Sequence, residues 1–261
     1  MMRLTYLLPA PMHATELGET EMRRRAGLLA EWSPPGTEIT VSAVSRGPVS
    51  IESAYEDYLS IPAMADQACA SVDAGADAIV VGCFGDPGLD GLRELVRRPV
   101  IGPSAAAMSL AASLGHQFSV VTVVEGVRPL LRRLAWEAGL SDALGVIRAV
   151  ELPVIDLNRD HERAFSVLRG ECERVLAETD TDTLVLGCMS MGFLGAAERL
   201  TEELGVPVVN PVRAAVHQAD TLHRMGLAHS PRAYRTPAKL RQGTNRADLI
   251  RTTDAPLEVT P

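Results

Sequence analysis

The chain has 261 residues, 46% apolar and 22% charged, and its 33 acidic against 25 basic side chains leave a formal charge of −8. That balance supplies a sizeable core and excludes a disordered or collagen-like chain. An acidic excess with no basic block excludes a nucleic-acid footprint, so the expected partners are a small-molecule substrate and other copies of the chain in a homo-oligomer.

Taken in chain order, short β-rich runs recur between stretches of helical length. The first is RLTYLL (3–8), whose apolar stretch is too short for a secretory h-region or a membrane span, so a cytoplasmic protein with no membrane contact is expected. EITVSAV (38–44), DAIVVG (77–82) and PVIG (99–102) follow, then FSVVTVV (118–124), LGVIRAV (144–150), DTLVLG (182–187) and PVVN (207–210). Strands alternating with helical segments predict right-handed crossovers and parallel sheets covered on both faces, an α/β fold.

The two sets of four runs echo each other. GADAIVVGC (75–83) aligns with DTDTLVLGC (180–188) at an offset of 105, and PVIGPSAAA (99–107) aligns with PVVNPVRAA (207–215) at an offset of 108. Apolar positions match by convergence in many strands, but a shared Asp five residues before Gly-Cys and a shared Pro-Val-x-x-Pro-x-x-Ala-Ala point to an internal duplication. The prediction is two similar, pseudo-symmetric α/β domains, each with a four-stranded parallel sheet. The first takes residues 1–115 plus 212–261, with a C-terminal helix and tail, and the second takes 116–211.

Four cysteines, Cys69, Cys83, Cys172 and Cys188, form no C-x-x-C pair. In a chain with no export signal they read as reduced thiols. Cys69 and Cys172 fall mid-helix and read as small buried hydrophobes. Cys83 and Cys188 end equivalent strands, where loops form the ligand crevice of an open parallel sheet, so two thiols are expected to face each other across a cleft. An acid and a base on opposite faces of a carbon acid remove its proton from one side and return one on the other, with inversion. For this the thiol pKa values are expected to be drawn toward neutrality by following helices, one starting near Asp86 or Pro87 and one in MSMGFLGAAERL.

Cofactors are narrowed by absence. Lys239 is the only lysine and lies outside both repeats, which disfavours Schiff-base chemistry with pyridoxal phosphate. No dinucleotide fingerprint or P-loop is present. The histidines, His13, His116, His161, His217, His223 and His229, show no metal-ligand spacing. Neither cofactor nor metal is expected.

GCFGDPGLDGLRE, PVIGPSAAAMSLAASLGHQFSVVTV, LGCMSMG and GVPVVNPVRAAV, with RGPVSIESAYEDYLSIPAM upstream, resemble the aspartate/glutamate racemase superfamily, and within it the hydantoin and allantoin racemase branch, over about residues 3–235. The resemblance implies Cys83 and Cys188 as the acid/base pair of a cofactor-independent racemase. It also implies backbone N–H groups of Phe84, Gly85, Met189 and Ser190 as substrate donors, with Pro9 and Thr122 facing the cleft. Amino-acid racemases of the superfamily usually carry Asn-Thr and Thr after their thiols. Phe-Gly-Asp and Met-Ser-Met stand here instead and favour a neutral ring such as a 5-substituted hydantoin over free aspartate or glutamate.

Two departures bear on the substrate. LLPAPMHAT stands where the branch commonly has Asn-Pro-Asn-Thr, leaving only Pro9, and Ala105 stands near the place of a common Glu. A two-thiol isomerase, such as a cis/trans double-bond isomerase, an amino-acid racemase and a non-catalytic binding protein are the competing readings. Residues 242–261 are expected to be mobile, and the segment before them to pack over the first domain or a neighbouring subunit.

Overall fold

The structure, a computed structural model, describes residues 1–16 and 18–241; the tail expected to be mobile, 242–261, lies outside the described residues. The first half runs β1 (Met2–Leu8), α1 (Gly18–Trp32), β2 (Thr37–Ala43), α2 (Ala54–Asp73), β3 (Ala78–Val81), α3 (Leu89–Leu95), β4 (Val100–Ile101) and α4 (Pro103–Ala112). The second runs β5 (Phe118–Thr122), α5 (Arg128–Glu137), β6 (Leu144–Ala149), α6 (Val154–Arg159), α7 (His161–Glu178), β7 (Thr183–Leu186), α8 (Met189–Phe193), α9 (Ala196–Leu204), β8 (Val208–Val209) and α10 (Pro211–Arg224), with α11 (Ala238–Arg241) beyond.

Each half forms a four-stranded parallel sheet, in the orders β2-β1-β3-β4 and β6-β5-β7-β8. All eight expected strands are present within two residues of their predicted limits. The central strands β3 and β7 are buried at every position, as uninterrupted apolar runs covered on both faces require. The helix that follows each sheet crosses over: α4 packs on β5, β7 and β8, α10 packs on β1, β3 and β4, and the two helices pack together. One core therefore runs through both halves, joining Tyr6 and Val80 to Phe118 and Val185.

The repeated residues have repeated tasks. Asp77 accepts the N–H of Arg3 at 2.9 Å, and Asp182 accepts those of His116 and Gln117 at 2.8 and 3.3 Å, so each Asp ties the start of its third strand to the start of its first. The N–H groups of Gly82 and Gly187 donate to the carbonyls of Leu7 and Val121, both at 2.7 Å. A Cβ on Gly82 would lie 2.7 Å from the Leu7 oxygen, and one on Gly187 2.7 Å from a Val120 methyl. The glycine is thus needed because the first strand passes too close for a side chain. Gly82→Ala and Gly187→Ala are each expected to cost about 1–3 kcal/mol, read as a lower thermal midpoint.

The Pro-x-x-Ala-Ala repeats open α4 and α10, with Pro103 and Pro211 in their first turns. Asn210 caps α10 through Val212 N–H at 3.0 Å, while its amide donates to Gly192 O at 3.0 Å. In the first half the cap comes from the thiol loop itself: Asp86 accepts Ser104 and Ala105 N–H at 3.0 and 3.1 Å. Both caps bind the loop after a thiol to the crossing helix.

The segment before residue 242 packs on α3 and β4 of the first half. His229 meets the Val100 backbone at 2.9 Å, the Tyr234 hydroxyl accepts from Arg93 at 3.1 Å, and Thr236 donates to Glu94 O at 2.6 Å. Among the described residues no helix is long and apolar enough to cross a membrane.

Candidate active site

Between the carboxyl ends of the two sheets lies a narrow cavity of about 100 Å³, lined by Cys83 and Cys188 together with Pro9, Phe84, Gly85, Thr122, Met189 and Ser190. The two thiols and the six residues expected to contact substrate therefore reach one space. A larger groove of about 660 Å³ lies between α4 and α10 and has no thiol in its lining.

The two sulfurs are held differently. Cys188 is the N-cap of α8 but its sulfur makes no capping hydrogen bond; the N–H groups of Ser190 and Met191 and the Ser190 hydroxyl favour its charged form. Cys83 meets one such group, the Gly85 N–H at 3.4 Å. The helix expected near Asp86 or Pro87 starts only at Leu89, behind Gly88 in the left-handed region. Asp86, itself at φ 50°, caps α4 instead of α3, so no helix N-terminus serves Cys83. The expected drop of the thiol pKa values toward neutrality is also corrected. Burial pushes both upward, outweighing the N–H groups and, at Cys188, Arg25, because a thiolate in an apolar cleft forfeits its hydration.

Thr122 lines the cavity, but its hydroxyl donates to Gly187 O at 2.9 Å and so braces the Gly-Cys turn. Phe84 and Met189 are buried, packing in the core as well as lining the cavity. Cys172 is a buried core residue on α7, as its mid-helix position predicts, whereas Cys69 on α2 is only partly buried, packing at the edge of the first-half core.

Several site residues were not singled out in the sequence. Arg25 on α1, 2% exposed, lines the cavity; it donates to Glu21 at 2.7 Å and to the Ser190 hydroxyl at 3.0 Å, and its guanidinium lies 4.8 Å over the Phe193 ring. Its only signal was the Glu21/Arg25 spacing, common to any solvated helix face. Asp57 on α2 is 3% exposed, and its Oδ1 has no hydrogen-bond partner. The turn before it is built by Ser53-x-x-Glu56: Ser53 Oγ accepts the Glu56 N–H while the Glu56 carboxylate accepts the Glu52 N–H, a variant of the capping box. Glu52 then accepts Val154 N–H at 2.9 Å from the second half, closing one side of the cleft. Val49, Ile51, Leu130 and Ile155 complete an apolar wall.

Burial raises the Asp57 pKa to about 6, against the pull of Arg133. A carboxyl whose pKa is higher folded than unfolded contributes stability that is full below about pH 4 and is lost as pH rises through about 6. Asp57→Asn is expected to remove that loss, seen as a flatter dependence of the urea midpoint on pH between 4 and 7.

Comparison with known proteins places the chain in a family. Residues 19–219 match the Asp/Glu/Hydantoin racemase family. A hydantoin racemase of Pseudomonas sp. (strain NS671) is 37% identical over 204 residues, 78% of this chain and 81% of that protein, and one of Paenarthrobacter aurescens is 34% identical over 206 residues, 78% and 86%. The solved structure of the allantoin racemase from Klebsiella pneumoniae superposes with a TM-score of 0.84 at 31% identity, covering 92% of this chain and 95% of that one. With its two parallel sheets and the cleft between them, the chain belongs to the Asp/Glu/hydantoin racemase family and is an isomerase of the racemase type.

Proposed function

We propose that the chain is a cofactor-independent racemase in which Cys83 and Cys188 exchange protons with the acidic C–H of a small, hydantoin-like ring, a 5-substituted hydantoin or allantoin. The observation that carries this reading is the meeting of the two repeated Gly-Cys thiols on one narrow cavity. One sulfur, as thiolate, takes the C5 proton; the electron pair left behind delocalises onto the adjacent carbonyl oxygen; the other thiol delivers its proton to the opposite face. Backbone N–H groups of Phe84, Gly85, Met189 and Ser190 are the donors we assign to that oxyanion, the Gly85 N–H now on the Cys83 sulfur being shared with the substrate.

Small volume and an apolar wall favour a compact neutral ring with an apolar substituent. The cation in the wall, Arg25, is already paired with Glu21, which disfavours a free amino-acid carboxylate. Proton NMR in deuterated water with single enantiomers of 5-substituted hydantoins and allantoin tests the reading. Loss of the C5 proton signal together with inversion is expected; no exchange by folded protein with any of these compounds would overturn it.

A further inference from the structure

The two thiols occupy pseudo-equivalent positions, but the side-chain charges that act on them are opposite in sign, Arg25 at Cys188 and Asp57 with Asp86 at Cys83. Behind Cys188, Glu21 bonds both Arg24 and Arg25, the former at 2.7 and 2.9 Å and the latter at 2.7 Å. Two guanidinium groups share one carboxylate, so this cluster, buried at Glu21 and Arg25 and partly exposed at Arg24, carries a net positive charge. It approaches the sulfur through Ser190: Arg25 Nη2 donates to Ser190 Oγ at 3.0 Å, both residues line the cavity beside Cys188, and both favour the charged form of that thiol. Tyr6, buried beneath and kept neutral by that burial, adds no charge.

Behind Cys83 the groups are acidic. Asp57 comes from α2 and Asp86 from the thiol loop, and both disfavour charge on the sulfur. Arg133 on α5 faces Asp57 and Arg93 faces Asp86, yet Asp57 Oδ1 is left without a hydrogen bond. Carboxyl and thiol both come close to Gly85, where a Cβ would lie 3.1 Å from Asp57 Oδ1 and 3.6 Å from Cys83 Sγ, beside a Leu130 methyl.

We propose that Arg25 and Asp57 are positioning residues that make the thiols unequal, Arg25 through Ser190 holding Cys188 as the proton-accepting sulfur of the resting cleft and Asp57 holding Cys83 as the proton-donating one. As a statement about catalysis it rests on the racemase reading above; as a statement about charge it does not. A thiolate at Cys188 has the Arg25 cation held nearby by Ser190, whereas a thiolate at Cys83 has one long N–H contact and a carboxylate behind it. A resting enzyme of this kind takes its first proton from the enantiomer whose C–H faces Cys188. After one turnover Cys83 carries the charge beside Asp57, and the cleft must be reset by proton exchange or by reaction of the opposite enantiomer.

Alkylation of the full-length protein by iodoacetamide, followed at each cysteine by mass spectrometry between pH 6.5 and 9.5, tests this without any substrate. Cys188 is expected to react at least about tenfold faster than Cys83 at pH 8, a difference of about one pKa unit. Asp57→Asn should speed Cys83 severalfold and lower its pH midpoint while leaving Cys188 unchanged. Arg25→Met paired with Glu21→Gln, which strands no carboxylate, should slow Cys188 toward the rate of Cys83. Equal rates in the wild type, a faster Cys83, or an Asp57→Asn variant with an unmoved Cys83 midpoint would overturn the proposal, whatever the protein does with hydantoins. Unequal thiols that move as described, in a protein that exchanges no hydantoin, would uphold the charge assignment and count against the substrate reading alone.

Discussion

Replacing either thiol by a hydroxyl, Cys83→Ser or Cys188→Ser, is expected to lower the rate of inversion by roughly a hundred- to ten-thousand-fold, the span of a single positioned acid or base. Serine is close in shape to cysteine but is a far weaker acid, so it neither accepts the C5 proton nor gives up its own readily. Inversion needs both faces of the carbon served, so the variants should fail alike. Cys69→Ser, at a partly buried site on α2, should leave the rate nearly unchanged and serves as the control. Deuterium incorporation and optical rotation, measured on one sample, check the result. A variant at Cys83 or Cys188 that kept more than about a tenth of wild-type inversion would remove that residue from the acid/base pair.

The largest loss of stability is expected at Phe193. Its ring is fully buried, with the edge of Tyr6 at 5.6 Å, Trp32 stacked at 5.9 Å and the Arg25 guanidinium over it at 4.8 Å, and its carbonyl accepts from Arg24 at 3.1 Å. α8, whose N-cap is Cys188, is thereby fastened to α1 of the other half. Truncation to alanine opens a cavity among groups that cannot all move in to fill it, at a cost of about 3–5 kcal/mol. Urea unfolding should show that loss, and Phe193→Leu a smaller one. Because the ring supports Arg25, alanine should also slow alkylation of Cys188 while leaving Cys83 as it was, which separates local loss of support from general loosening.

The strands and the pairing of the two halves were legible because their signals are local. An apolar run of four to seven residues between breakers has few alternatives, and a repeated Asp-x-x-x-x-Gly-Cys reports a repeated close approach of strands even before the strands are placed. Cys83 and Cys188 were legible for the same reason, since the end of a parallel strand already specifies which end of the sheet the side chain reaches.

The surroundings of the thiols were not legible. Asp86 reads as the cap of the helix next in sequence, but its carboxyl turns to α4 because Ser104 and Ala105 present unpaired N–H groups there. Arg25 lies in a run of three arginines that looks like an exposed helix face; it is buried because the second half supplies Ser190 and Phe193 to receive it. Asp57 reads as an acidic residue in a helix's first turn, a favourable and ordinary place, until the Cys83 loop and α5 close over it. The sequence by itself determined the α/β class, the duplication, the two thiols and the resemblance to the racemase superfamily, since each is written in neighbouring residues. The tertiary structure alone decided the direction of the thiol pKa shifts and the unlike charges behind them, because desolvation and Coulomb forces depend on which distant groups share a buried space.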